Sequence, residues 1–187
     1  MPERPTLSLA GDWRELEAEE SVLFSLPTIR VRGHTVVFED VALRETVREA
    51  TDGSVDQPVR FAFATHLAFD PPLSPGVGVA SVFPMVRDAA EREFANDLRE
   101  RGFERVARDR RDRTRTPGGA RVALRQYDAV VPVNGAEADC EGWLGVWHRG
   151  GDVSLAGGAY LTDGVDGISL EPGRYRRELL DAIRTVE

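Results

Sequence analysis

The stretch Cys140 to Leu161, CEGWLGVWHRGGDVSLAGGAYL, constrains the fold more than any other part of the chain. Two runs rich in apolar and small residues flank Gly150-Gly151. A diglycine between such runs specifies a two-residue hairpin, because glycine enters the left-handed backbone region that these turns require. The turn then sets the register: Arg149 faces Asp152, Trp147 faces Ser154, Gly145 faces Ala156, Trp143 faces Gly158 and Glu141 faces Tyr160. One face therefore carries two indoles, a phenol and a carboxylate above a floor of glycine, alanine and serine. The other pairs Val146 with Leu155 and Leu144 with Gly157, as a core face does.

The remaining elements follow from periodicity. Val22 to Arg32 and His34 to Glu39 read as two strands turning at Arg32-Gly33-His34, with Pro27 confining the first to an edge or a bulge. Asp40 can cap and Gly53 can end a short helix. Pro58 to Asp70 alternates, with Val59, Phe61, Phe63, Thr65, Leu67 and Phe69 on one face and Arg60, Ala62, Ala64, His66 and Ala68 on the other. The loop Phe69 to Gly76 leads into a helix with Pro84 in its first turn. In that helix Val86, Ala90, Phe94 and Leu98 repeat every fourth residue, and Gly102-Phe103 forms the C-terminal cap. Phe103 to Thr114 and Arg121 to Val133 flank a turn at Thr116 to Gly119. A last helix opens at Pro172 and places Tyr175, Leu179, Ala182, Ile183 and Val186 on one stripe. The expected fold is α+β, an antiparallel sheet of about seven strands with two or three helices packed on it, in a single domain spanning 1–187. The order of elements resembles that of the PsbP/Mog1-like α+β proteins, and this resemblance implies a binding or assembly role.

Composition narrows the chemistry. All 24 basic residues are arginine, against 32 Asp plus Glu. Arginine is more weakly hydrated than lysine and grips carboxylates with a planar fork, so its ion pairs withstand screening better. With its abundant Asp, Val, Ala and Gly, the composition resembles that of haloarchaeal cytosolic proteins. The absence of lysine excludes a P-loop, a Schiff base and any catalytic lysine. A single cysteine, Cys140, excludes an internal disulfide and a CxxC motif, and a reducing cytoplasm is the expected location. Neither a basic-then-apolar N-terminus nor an eighteen-residue apolar run occurs, so no signal peptide and no membrane contact are expected.

No catalytic, metal or cofactor site is expected. HExxH, GxSxG and EF-hand patterns are absent, and GVGVAS at Gly76 to Ser81 lacks phosphate-loop spacing. Cys140 and His148 share a strand face but stand eight residues apart, about 26 Å along a strand. Cys140 therefore reads as a small buried hydrophobe. His34, His66 and His148 show no ligand spacing.

Two candidate surfaces remain. The first is the sheet face bearing Trp143, Trp147, Tyr160, Gly145, Gly158 and Glu141, together with Arg60 and His66 on the Pro58 to Asp70 strand. A floor without side chains admits a ligand or partner close to the backbone, or else seats a helix, and the helix is the favoured reading. The second is the arginine hairpin. Arg105 to Arg125 holds eight arginines against two aspartates, a balance of +6 in a chain of net charge -8, with Arg108, Arg110, Arg111, Arg113 and Arg115 as anion-binding candidates. It has no interleaved aromatic before Tyr127, so nucleic acid is not the expected partner. The expectation is a non-enzymatic binding or assembly module that uses the aromatic and glycine sheet face of Trp143, Trp147 and Tyr160, or the arginine hairpin, to contact a protein partner or a second copy. The alternatives are an enzyme or sensor with a histidine-lined pocket, and a weak anion or nucleic-acid binder.

Overall fold

The computed structural model describes residues 2–187. It is α+β, a single antiparallel sheet of seven strands with three helices. In chain order the elements are β1 (Trp13–Leu26), β2 (Ile29–Asp40), α1 (Val41–Ala50), β3 (Arg60–Asp70), α2 (Val79–Glu100), β4 (Glu104–Arg115), β5 (Arg121–Val133), β6 (Ala136–Arg149), β7 (Asp152–Asp163) and α3 (Pro172–Arg184). The strands lie in the order β1-β2-β3-β7-β6-β5-β4, which leaves β1 and β4 as the two edges.

The diglycine hairpin forms with the expected register, from Arg149↔Asp152 to Glu141↔Tyr160. It joins the two most buried strands, β6 and β7, near the centre of the sheet. A second tight turn, Asn134-Gly135, joins β5 to β6 with both residues at positive φ, 48° and 81°. Asn-Gly is a strong hairpin signal, and it extends β6 four residues ahead of Cys140.

α2 and α3 cover opposite faces. On the α2 side, Phe94 packs between Phe63 and Tyr127, and the Tyr127 hydroxyl donates to the Glu91 carbonyl at 2.7 Å. Gly102 at φ 91° lets Phe103 N–H reach the Leu98 carbonyl at 3.0 Å, closing the helix as a Schellman cap does. On the other face, Tyr175, Leu179, Ala182 and Ile183 of α3 are buried against β6 and β7. At roughly 1.5–3 kcal/mol each, Leu179 and Ile183 are the main apolar anchors of that helix. α1 forms where Asp40 caps it, accepting from Leu43 N–H at 3.0 Å.

Two local expectations are corrected. The first hairpin turns at Pro27-Thr28, so Gly33 lies inside β2. Its glycine serves a close approach: a Cβ there would lie 2.5 Å from Leu23 Cδ1 and 2.7 Å from Thr65 Cγ2. Pro27 thereby escapes the strand, where its missing N–H would break the ladder. Pro84 sits inside α2, which begins at Val79. The carbonyl it leaves unpaired belongs to exposed Ala80, which water can satisfy.

Candidate functional site

The aromatic and glycine face of β6 and β7 is the seat of α3. A Cβ at Gly145 would lie 2.6 Å from Ile183 Cγ2 and 2.9 Å from Val122 Cγ1, so the bare backbone there is what lets the helix lie down. Gly158 serves the neighbouring strand, since its Cβ would collide with the Phe61 carbonyl. Trp143 is 1% exposed, and Tyr160 and Glu141 are buried with it. Of the two readings of this face, the geometry presents the covering helix; no open groove lies over Trp143.

Beneath α3 the polar groups form a closed network. Glu141 accepts from Trp143 Nε1 at 2.7 Å, from the Tyr160 hydroxyl, from Gln126 Nε2 at 3.2 Å, and from Arg176 Nε and Nη2 at 2.7 and 2.5 Å. Burial raises the Glu141 pKa, but the bonds from Arg176, Tyr160 and Trp143 outweigh it and hold the carboxyl below its ordinary value. Arg60 is locked in the same way: it pairs with Asp40 at 2.8 Å and with Glu178, and its guanidinium lies over the rings of Trp13 and Tyr175 at 4.9 and 4.3 Å. Both arrangements fasten α3 to the sheet. Both Glu141 oxygens and both Nη groups of Arg60 are thus engaged within the protein.

Trp147 and His66 sit apart from this network, where the sheet opens beyond the end of α3. They line a wide groove of about 1380 Å³ together with Ser154, Arg149, Arg184 and Val77. Burial holds His66 below the ordinary histidine range. His66 stands across the strand pair from His34, but the one histidine–carboxylate pair within 4 Å among the described residues is His34 Nδ1 with Glu20, at 3.7 Å. His148 packs edge-on against Phe83, far from Cys140, whose thiol burial pushes up to about 12. No group of three or more residues able to hold a metal ion occurs among the described residues. Among the described residues, no helix is long and apolar enough to cross a membrane.

The arginine hairpin is organised in a way that alternation alone conceals. Register pairs run Arg108↔Tyr127, then Arg111↔Arg125, Arg113↔Ala123 and Arg115↔Arg121, with a bulge between Arg108 and Arg111. The bulge inserts an extra residue and so restores parity across the doubled Arg110-Arg111. As a result Arg108, Arg111, Arg113 and Arg115 share the α2 side with Arg121 and Arg125, whereas Asp112, opposite Leu124, points the other way. Arg110 departs from the set: it crosses to the α3 side and lies over the Trp143 ring at 5.5 Å.

At the centre of this arginine face stands Glu91 of α2, 3% exposed. Its Oε2 lies 3.0 Å from Arg125 Nη2, 3.7 Å from Arg108 Nη1 and 4.0 Å from Arg111 Nη2, and its Oε1 lies 3.9 Å from Arg87 Nε. One carboxylate thus gathers four guanidiniums and neutralises one of them. The Arg87 Nε is buried with no hydrogen-bond partner, and Arg113, Arg115 and Arg121 make no ion pair among the described residues. Glu91 was not singled out in the sequence, where it reads only as half of a helical pair with Arg87. The doubled arginine at Arg110-Arg111, which breaks strict alternation, is the one trace of the bulge that the sequence holds.

No curated protein matches the chain. Over residues 2–187 it matches the model of a domain of unknown function, DUF6517, and it therefore belongs to that family.

Proposed function

We propose that this protein is a non-enzymatic binding module whose contact surface is the arginine face of the β4–β5 hairpin. The observation that carries this is the bulge that places six arginines on one side of the hairpin, three of which, Arg108, Arg111 and Arg125, are gathered by a single buried carboxylate. Guanidiniums held close by a shared carboxylate have lost part of their conformational freedom before any partner arrives, and their forks match carboxylate or phosphate oxygens. In a chain of net charge -8, such a concentrated positive face selects partners bearing closely spaced anionic groups. The resemblance of the element order to PsbP/Mog1-like proteins points the same way.

A second reading takes the groove at Trp147 and His66 as a ligand site, and its size favours that reading. It has less support as an enzyme, because no carboxylate among the described residues stands within 4 Å of His66, and Glu3 and Asp152 act on it only from farther across the groove.

Inorganic polyphosphate serves as the probe. Calorimetric titration at low salt should show binding that the triple variant Arg111→Glu/Arg113→Glu/Arg115→Glu loses and that His66→Ala retains. No binding by the unaltered chain, or equal binding by the triple variant, would defeat the proposal.

A further inference from the structure

The side of the sheet that carries the arginines is polarised. At its other edge, β1 places Glu17 opposite Val37 and Glu19 opposite Thr35, both on the α2 side. The near wall of α2 adds Glu93, Asp97 and Glu100. Between β1 and α2 runs a groove of about 240 Å³ with an apolar floor that includes Val37, Phe63, Leu144 and Leu155. One cation, Arg101, lines it, already engaged by Asp97 at 2.9 Å and Glu17 at 3.6 Å. Glu19, Glu93 and Glu100 make no ion pair among the described residues and are exposed. Carboxylates above an apolar floor suit arginine in particular: the stem lies on the floor while the head meets the acids.

This chain carries the matching element at its opposite edge. Arg111, Arg113 and Arg115 stand on one face of β4 and span about 13 Å, while Glu93 to Glu100 rises about 10 Å along α2. Three exposed guanidiniums, of which only Arg111 has a carboxylate within reach, Glu91 at 4.0 Å, therefore meet three unpaired carboxylates over a similar length. Both edge strands are bulged and charged, features that discourage direct backbone pairing of edges. Side-chain docking of a face into a groove does not need that pairing.

We infer that the acidic groove between β1 and α2 is the docking site for the arginine face of a second copy of this chain. The inference rests on the arginine face being the contact surface, and it names the partner. The two patches are different surfaces of one molecule, so the contact is heterologous.

Sedimentation velocity tests it with the full chain and two exposed-site triple variants, Arg111→Glu/Arg113→Glu/Arg115→Glu and Glu19→Arg/Glu93→Arg/Glu100→Arg, each checked for native circular dichroism. At about 0.01 M salt, where charges act over roughly 30 Å, the unaltered chain should associate with rising concentration. Each triple variant alone should associate at least about tenfold more weakly, and an equimolar mixture of the two should regain association. An unaltered chain that stays monomeric, a triple variant that associates as well as the unaltered chain, or a mixture that stays monomeric would each overturn the inference. Polyphosphate separates the two levels. Binding that survives in the glutamate-to-arginine variant while all copies remain monomeric defeats self-docking and leaves the arginine face standing; absence of polyphosphate binding defeats the arginine face itself.

Discussion

Replacing Glu141 by alanine should unsettle α3 more than any other single polar change. The side chain is buried and accepts five hydrogen bonds, two of them from a guanidinium. Bonds to a charged group are each worth about 1.5–3 kcal/mol, but the larger effect is on the groups left behind. The Trp143 indole N–H keeps only the Tyr160 oxygen at 3.2 Å, and the Tyr160 hydroxyl loses its acceptor in a buried site. Arg176, with 42% of its side chain exposed, can turn to water. The expected cost is about 3–5 kcal/mol, a fall of roughly 6 to 20 °C in melting temperature for a chain of this size. Arg176→Ala should cost only about 1 kcal/mol, because solvent screens the pair and the carboxylate retains its other donors. Urea unfolding followed by tryptophan fluorescence measures both variants and their double-mutant cycle. A Glu141→Ala cost below 1 kcal/mol, or an Arg176→Ala cost exceeding it, would refute the assignment of Glu141 as the hub that fastens α3.

Other outcomes follow from the same geometry. Gly158→Ala should destabilise more than Gly145→Ala, because the first meets the Phe61 backbone and the second meets the side chains of Ile183 and Val122, which can shift; about 1–3 kcal/mol is expected for Gly145→Ala in thermal unfolding. Cys140, 4% exposed, should resist a thiol reagent in the native protein at neutral pH and react once urea unfolds it. Folded His66 titrates below its ordinary value of 6.5, so the unfolded chain binds its proton first; the His66 contribution to stability is intact above pH 6.5 and declines as pH falls through the folded value. Urea midpoints measured between pH 7.5 and 5 should therefore fall less steeply for His66→Gln than for the unaltered chain.

The central hairpin was legible because its information is local. Gly150-Gly151 fixes the turn, and period two then assigns every side chain from Arg149 to Glu141 to a face. The covering of that face by a helix was legible as the favoured of two readings, but not which helix covers it. The stripe from Tyr175 to Ile183 needs a seat and the Gly145 floor offers one, but no spacing joins segments so far apart in the chain. Gly33 misled because glycine marks a turn and a close approach alike, and only the position of Leu23 on the neighbouring strand distinguishes them. The arginines were legible as a cluster and not as a face, because parity on β4 depends on a bulge defined against β5. Glu91 is a tertiary result altogether: α2 brings it to arginines on β4 and β5 that it precedes by 17 to 34 residues.

The measurement that bears most directly on the arginine face as the contact surface is the salt dependence of polyphosphate affinity in a graded series. Binding through phosphate contacts should give a linear fall of log affinity with log salt, and each of Arg111→Ala, Arg113→Ala and Arg115→Ala should lower that slope by roughly one. A slope that all three substitutions leave unchanged would contradict the account.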